Sequence, residues 1–404
     1  MSLAEACLRA LPALVAVLLL GRVLGALLKK LGQPTVIGEV MAGILLGPSL
    51  LGTDWAALLL PPESAAPLKL LALVGVTLYM FRVGLHLDLA LVRQRLKTTL
   101  WIAHAGIAAP LLLGVLIGVP LYADHAGRNA TPLLFSLFLG VALSITAFPV
   151  LARILADVGL LQHPIGQMAL GAAAVGDVTA WCLLAALTGV ANAGQSHAAW
   201  WVIAGSLGYV ALMLLVLKPV LPRVYASTRH AALLILLVLL AASASATQWL
   251  GLHASFGAFM LGSLLPRGEA LTRRLDTGLE IPARWLLPAF FAYAGMRTRL
   301  DLIVGWEDWG LCIGITLAAT LGKVGGSWLA ARACGESPRA AAALGALMNA
   351  RGLMELIVLQ IGFDLGLISQ RLFSMLVVMA LVTTLSTVPL LRLLGPTSLK
   401  KPTS

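Results

Sequence analysis

Long apolar runs separated by short polar connections dominate the pattern of this chain of 404 residues. Most runs hold about 20 residues, the number that an α-helix needs to cross a bilayer. The apolar positions are continuous and do not alternate, which excludes a transmembrane β-barrel. The pattern predicts an all-α polytopic membrane protein with about 13 transmembrane helices. They span approximately 10–28, 34–51, 66–85, 98–121, 131–155, 164–190, 198–217, 230–249, 253–266, 284–300, 307–331, 338–362 and 370–394.

Composition supports a lipid environment, because 60% of the residues are hydrophobic and only 11% are charged. Soluble domains carry about 25% charged residues. The first apolar run lacks a basic leader and a cleavage site, so we interpret it as a span and not as a signal peptide. No long polar stretch is present. We therefore expect residues 1–404 to form a single membrane transporter domain without a soluble regulatory domain.

The net charge of +11 is explained by basic residues on alternate connections, among them Lys29, Lys30, Arg273 and Arg274. Basic residues mark the cytoplasmic side of a membrane protein. The pattern predicts a multi-pass protein of the inner (plasma) membrane, with its N-terminus outside and its C-terminus in the cytoplasm. Basic and aromatic residues do not interleave, so we expect no nucleic-acid partner.

An internal repeat relates the two halves of the chain. The residues Gly38, Met41, Gly43, Leu45 and Leu46 recur at the same spacing as Gly257, Met260, Gly262, Leu264 and Leu265. The next span repeats as well, since Gly84 and Asp88 match Gly295 and Asp301 with two residues inserted. The copies lie about seven spans apart, and an odd number of spans reverses orientation. This pattern is typical of transporters with inverted repeats, whose sites lie on broken helices at the repeat interface.

Polar, helix-disrupting stretches interrupt the fifth and twelfth spans, which correspond under the repeat. The fifth contains Ser144, Thr146 and Pro149, and the twelfth contains Asn349 to Gly352. Pro149 removes a backbone donor and Gly352 weakens its helix. We expect two broken helices that cross and direct their ends at a shared site.

Charged residues inside predicted spans are costly and mark functional sites. Asp177 lies near the middle of the sixth span, where a carboxylate can exchange a proton for a cation. Lys323 lies near the middle of the eleventh span, either as a proton carrier or as a structural partner of a carboxylate or helix end. Arg351 and Glu355, four residues apart, are expected to form a structural pair on one face of a helix.

Six stretches in family order resemble the monovalent cation:proton antiporter-2 family. They are residues 32–48, 144–155, 176–181, 290–298, Lys323 and 348–358. The resemblance implies an inverted-repeat, sodium/proton-antiporter-like fold with interleaved core and dimer subdomains, a homodimer and an elevator-like motion. It implies that Asp177 binds the transported Na⁺ or K⁺ and the proton, that Ser144 and Thr146 line this site, and that Lys323 and Asn349 support it. No cofactor is expected beyond the transported ions.

One departure from the family pattern concerns the residue before Asp177. Many electrogenic members have two adjacent acids where this chain has Gly176 and Asp177. A single carboxylate favours the exchange of one cation for one proton, so we predict electroneutral antiport.

Three other classes of function were weighed against antiport. A sodium-coupled organic-anion transporter on a related fold needs more anion-binding groups, and a channel-like potassium efflux system would lack proton coupling. An intramembrane hydrolase needs a nucleophile with a base or a metal set. The chain has no HExxH motif, and its four cysteines are isolated. We therefore expect no enzyme activity.

Overall fold

The computed structural model describes most of the chain, and it describes it as helical. The described residues are 3–31, 33–48, 50–52, 65–87, 94–191, 196–225, 229–250, 252, 254–265, 270–296, 300 and 303–394. Asp88 and Asp301 of the repeat lie outside them, as do residues 1, 2 and 395–404 at the chain ends whose membrane sides were predicted.

The first half of the described chain forms nine helices with one π-helical segment. They are α1 (Leu3–Lys30), α2 (Thr35–Leu46), α3 (Ala65–His86), α4 (Leu96–His125), α5 (Pro132–Ser144), α6 (Phe148–Asp157), α7 (Pro164–Ala191), α8 (Ser196–Ala211), the π-helical Leu212–Leu217 and α9 (Lys218–Tyr225). The second half continues in the same way. Its helices are α10 (Arg229–Trp249), α11 (Ala254–Leu264), α12 (Ala270–Gly295), α13 (Trp306–Ala333), α14 (Pro338–Met348), α15 (Leu353–Asp364) and α16 (Gln370–Leu394).

Each predicted span overlaps one of these helices or a consecutive pair. Within the described residues, eight helical segments are long and apolar enough to cross a membrane. The total of thirteen crossings stays a prediction. Helix α12 begins at Ala270, before the predicted start of the tenth span at residue 284. Charged residues such as Arg273 and Arg274 suggested a connection there, but they lie exposed on the first turns of the helix.

The chain divides into two compact units, each built from three separate stretches. Unit one comprises Met1–Leu24, Gly38–Leu89 and His197–Arg297. Unit two comprises Gly25–Ile37, Ala90–Ser196 and Thr298–Ser404. Because the stretches alternate along the sequence, neither unit can be cut out as a continuous segment. Their roles as core and dimer subdomains stay a prediction.

In unit one, α2 and α12 touch through glycines. A Cβ atom on Gly43 would lie 2.0 Å from the carbonyl oxygen of Ala292, and one on Gly295 would lie 2.1 Å from that of Val40. No larger side chain fits at either position without moving the backbone. Small residues allow such close helix packing in membranes, where lipid supplies no hydrophobic driving force between helices.

A second glycine contact in unit one joins α3 and α11. A Cβ atom on Gly84 would lie 2.3 Å from the carbonyl oxygen of Phe259, and one on Gly262 would lie 2.2 Å from that of Phe81. Gly262 is the repeat counterpart of Gly43, and Gly84 that of Gly295. The two contacts are therefore repeat images, in which a helix of each copy packs on a helix of the other.

Unit two is centred on the long helix α4, which packs against both α5 and α13. Buried aromatic side chains of α5, among them Phe135 and Phe138, fill a core shared with α16. The backbones of α4 and α5 meet at Gly114, where an added Cβ atom would lie 2.5 Å from Cα of Gly140. This packing holds α5 in a defined position, and the candidate site begins where α5 ends.

We expect Gly114→Val to lower the thermal stability of the detergent-solubilised protein, because overpacking a tight contact costs about 1–3 kcal/mol. Gly314→Val is the matched control, since a Cβ atom at Gly314 in α13 meets nothing within 4 Å. Melting monitored by tryptophan fluorescence measures both. Equal melting temperatures for the two variants would contradict the close approach of α4 and α5.

Candidate functional site

The first helix break separates α5 from α6. The α5 helix ends at Ser144, and Ile145 and Ala147 are extended, with φ and ψ of −70° and 138° and of −83° and 94°. Helix α6 then begins at Phe148, with Pro149 in its first turn. Proline fits there because a first-turn N–H has no helical partner to lose. The sequence Ser144 to Pro149 therefore gives two half-helices and not a kinked one.

The second break separates α14 from α15. The α14 helix ends at Met348 and α15 begins at Leu353, after Gly352 in an extended conformation. The break at Gly352 agrees with the prediction that this glycine weakens its helix, but any residue could adopt its extended backbone. Gly352 is needed for space, because an added Cβ atom would lie 2.5 Å from Cγ2 of Val150 in α6.

Direct hydrogen bonds join the two breaks. The backbone N–H of Ala147 donates to the carbonyl oxygen of Ala350 at 3.0 Å. The hydroxyl of Thr146 donates to the carbonyl oxygen of Met348 at 3.3 Å. The predicted crossing is thus present in unit two. Each interrupted helix supplies partners for backbone groups that the other break leaves open, as a lipid environment requires.

Two buried cationic side chains bind the carboxyl end of α5. Arg351 donates from Nη1 to the carbonyl oxygen of Ala142 at 3.2 Å and from Nη2 to that of Leu143. Lys323 donates from Nζ to the carbonyl oxygen of Ser144. The last carbonyls of a helix lack helical partners and carry partial negative charge. Both basic side chains therefore supply donors to that end.

Arg351 also pairs with Glu355, as predicted, but not on one face of a helix, because Arg351 lies in the break and α15 begins only at Leu353. The Nη1 and Oε1 atoms are 3.3 Å apart, and both side chains are fully buried. Glu355 lies in the first turn of α15, where a negative charge complements the partial positive charge of the helix amino end. The pair therefore links the end of α5 to the start of α15.

Asp177 occupies the middle of α7, with 6% of its surface exposed. Its carboxylate accepts a hydrogen bond from the backbone N–H of Phe148, the first residue of α6. The side chain thus lies at the amino end of a half-helix, where an anion is favoured. Lys323 lies close enough to interact with it electrostatically.

The four buried charges balance in sum. When all are ionised, Asp177 and Glu355 offset Lys323 and Arg351. Isolated charges are expensive in a membrane interior, and pairing them reduces that cost. A proton or a monovalent cation bound at Asp177 adds one positive charge to this cluster in either case.

The predicted ligands Ser144 and Thr146 contribute in different ways. The Ser144 hydroxyl donates to the carbonyl oxygen of Val141 at 2.8 Å, inside its own helix. Its carbonyl binds Lys323. The Thr146 hydroxyl donates to the second break, which leaves its oxygen lone pairs as acceptors. Both residues lie on the break, but their contact with an ion stays a prediction.

Sequence reasoning missed the hydroxyl groups of α16. The Thr384 hydroxyl accepts from the backbone N–H of Arg351 at 3.0 Å and shares its one hydrogen between the carbonyl oxygens of Arg351 and Ala380, at 2.7 and 2.8 Å. It therefore contacts both backbone groups of Arg351 within the break. The available signal was the run from Thr383 to Thr387, four hydroxyl residues in five positions of an otherwise apolar span.

Comparison with known proteins places this site in a family context. The family model described as "Sodium/hydrogen exchanger, transmembrane" matches residues 14–393. The Na⁺/H⁺ antiporter NhaS4 of Synechocystis is 39% identical over 390 residues, covering 93% of this chain and 95% of that protein. The K⁺/H⁺ antiporter 1 of Saccharomyces cerevisiae is 34% identical, over 91% of this chain but only 44% of its own length.

A solved structure has the same fold. The sodium proton antiporter MjNhaP1 from Methanocaldococcus jannaschii aligns with a TM-score of 0.72, covering 98% of this chain and 100% of its own. The two sequences are only 13% identical, so this likeness concerns the fold alone.

We expect Arg351→Met to destabilise the protein strongly, because removing one partner of a buried ion pair costs about 3–5 kcal/mol. Arg95→Met is the matched control, since Arg95 forms an ion pair with Glu336 and is 54% exposed, and exposed pairs contribute about 0–1 kcal/mol. Thermal melting in detergent measures the difference. The double variant Arg351→Met/Glu355→Leu should recover part of the loss, and a double variant as unstable as the sum of its parts would contradict the pairing.

Proposed function

The chain belongs to the sodium/hydrogen exchanger family, and we propose that it exchanges a monovalent cation, Na⁺ or K⁺, for protons across the membrane, with Asp177 as the shared binding site. The observation that carries the proposal is the position of this buried carboxylate beside the crossing of two helix breaks. Relatives named as sodium/proton and potassium/proton antiporters support both candidate cations.

Competition at one carboxylate is sufficient for coupling. An ionised Asp177 offers two oxygens with about four lone-pair sites. The N–H of Phe148 occupies one of these sites and orients the side chain. The remaining sites accept either a proton or a partly dehydrated cation, with Thr146 and the break carbonyls as neutral oxygen ligands. The proton and the cation cannot occupy Asp177 at the same time. The protein therefore carries the cation in one direction and the proton in the other.

The surrounding charges argue for electroneutral exchange of one cation for one proton. Lys323 and Arg351 donate to the carbonyls that end α5, and a charged donor binds such a carbonyl more strongly than a neutral one. If both stay charged throughout the cycle, the loaded site has the same charge with either ion. Only Asp177 then changes its load, so a full cycle moves no net charge.

Unit two contains both breaks and all four buried charges, and we assign it the role of the ion-carrying core. Unit one, with its repeat-related glycine contacts, is assigned to the homodimer contact. The protein is placed in the plasma membrane with its N-terminus outside and its C-terminus in the cytoplasm, as the distribution of basic residues indicates. A plasma-membrane antiporter of this kind would serve pH homeostasis.

Asp177→Asn should abolish exchange, because an amide can neither take up a proton near neutral pH nor balance the charge of a cation. The measurement is dye-reported proton flux in proteoliposomes that contain the purified protein, driven by gradients of Na⁺, K⁺ or Li⁺. Asp364→Asn, at an exposed carboxylate that accepts from Gln360, is the matched control and should behave as the wild type. Full exchange by Asp177→Asn would refute the proposal.

Exchange by the wild-type protein should generate no membrane potential. A voltage-sensitive dye in the same proteoliposomes should stay silent while a Na⁺ gradient drives proton movement, and an imposed potential should leave the initial rate unchanged. A potential that builds up during transport, or a rate that follows the imposed voltage, would overturn the one-to-one stoichiometry while leaving antiport itself intact.

A further inference from the structure

Asn349 lies in the second helix break, directly between two residues that contact the first break. Its chain neighbours each bind the other break: Met348 accepts the Thr146 hydroxyl, and Ala350 accepts the N–H of Ala147. Ala147 is followed by Phe148, the first residue of α6, whose backbone N–H donates to Asp177. Asn349 is fully buried, so its amide, like the carboxylate of Asp177, is shielded from water.

Hydrogen bonds to α16 fix which way the Asn349 amide faces. Its Nδ2 donates to the carbonyl oxygen of Thr383 and to the hydroxyl oxygen of Ser386, both at 3.3 Å. A carbonyl can only accept, so the atom facing Thr383 must be the nitrogen. The Ser386 hydroxyl donates its own hydrogen to the same carbonyl at 2.8 Å and is therefore an acceptor as well. The amide cannot be flipped without placing two acceptors together.

The oxygen of this oriented amide has no partner. Among the residues that the structure describes, Oδ1 of Asn349 is buried and accepts no hydrogen bond. An unmet buried acceptor destabilises a protein, and native structures keep few of them without a functional reason. Here two α16 groups, the Thr383 carbonyl and the Ser386 hydroxyl, constrain the amide while its oxygen stays available.

We propose that Oδ1 of Asn349 is a neutral oxygen ligand of the transported cation, which it binds together with the carboxylate of Asp177. The proposal rests on the antiport function and deepens it. Amide and carbonyl oxygens replace the hydration shell of monovalent cations in membrane sites. A proton needs only the carboxylate, because a neutral amide oxygen is too weakly basic to hold one near neutral pH. Asn349 therefore distinguishes the cation load from the proton load.

The test separates cation affinity from proton affinity. Purified variants in proteoliposomes are compared by the KM for Na⁺, K⁺ and Li⁺ at several pH values. For Asn349→Leu, which keeps the side-chain volume and removes the oxygen, we expect KM to rise by about tenfold for the preferred cation, the equivalent of one lost polar contact. The proton affinity, read from the pH at which KM rises to twice its high-pH limit, should stay that of the wild type.

Thr387→Val is the matched control. The Thr387 hydroxyl donates to the same carbonyl of Thr383 at 3.0 Å and is not bonded to the amide, so its loss perturbs α16 without touching the ligand. Its KM should equal that of the wild type. Asn349→Ser replaces the amide with a shorter side chain, whose hydroxyl oxygen lies closer to the backbone, and should also raise KM. It serves if Asn349→Leu does not elute as a folded species in size-exclusion chromatography.

The outcomes are distinct. An unchanged KM in the folded Asn349 variants, with or without a loss of turnover, would overturn the ligand role. A matching rise in Thr387→Val would overturn it as well, since α16 packing would then be the cause. Exchange that persists in Asp177→Asn would instead defeat the antiport site, independently of Asn349.

Discussion

Interrupting a helix inside a membrane leaves backbone N–H and C=O groups without partners, and lipid offers none. The rest of unit two depends on how this protein meets that constraint at two places at once. The breaks satisfy part of it by bonding to each other, through Ala147 with Ala350 and Thr146 with Met348. Other backbone groups at the breaks bind side chains: Lys323 of α13, Thr384 of α16 and Arg351 itself.

The same compensation produces the electrostatics of the site. Lys323 and Arg351 donate to carbonyls at the carboxyl end of α5, while Asp177 and Glu355 lie at the amino ends of α6 and α15. Each charge is therefore placed where a helix end favours it, and the set is balanced when all four are ionised. Such a cluster is preorganised, because the backbone that orients it is held by hydrogen bonds between the two breaks.

Close packing of helices is the second structural requirement, and glycine meets it in both units. In unit one the contacts at Gly43 with Gly295 and at Gly84 with Gly262 repeat the same arrangement in the two copies of the sequence. In unit two Gly114 brings α4 against α5, and Gly352 brings the second break against α6. Where lipid provides no hydrophobic drive, such contacts allow dispersion and backbone interactions to hold helices together.

The sequence by itself determined the helices, the two breaks and the four buried charges, because hydropathy, proline placement and intramembrane cost act locally. The pairing of Arg351 with Glu355 was predicted from helical spacing, although Arg351 lies in the break before α15. Only the tertiary structure decided what these groups bind. Thr146 meets Met348 across 202 positions of the chain, and the partners of Asp177, Lys323 and Arg351 include backbone groups, which carry no residue-type signal. For the same reason, the sequence singled out Asp177 as a buried carboxylate, but only the crossing of the two breaks in the tertiary structure defined the groups around it.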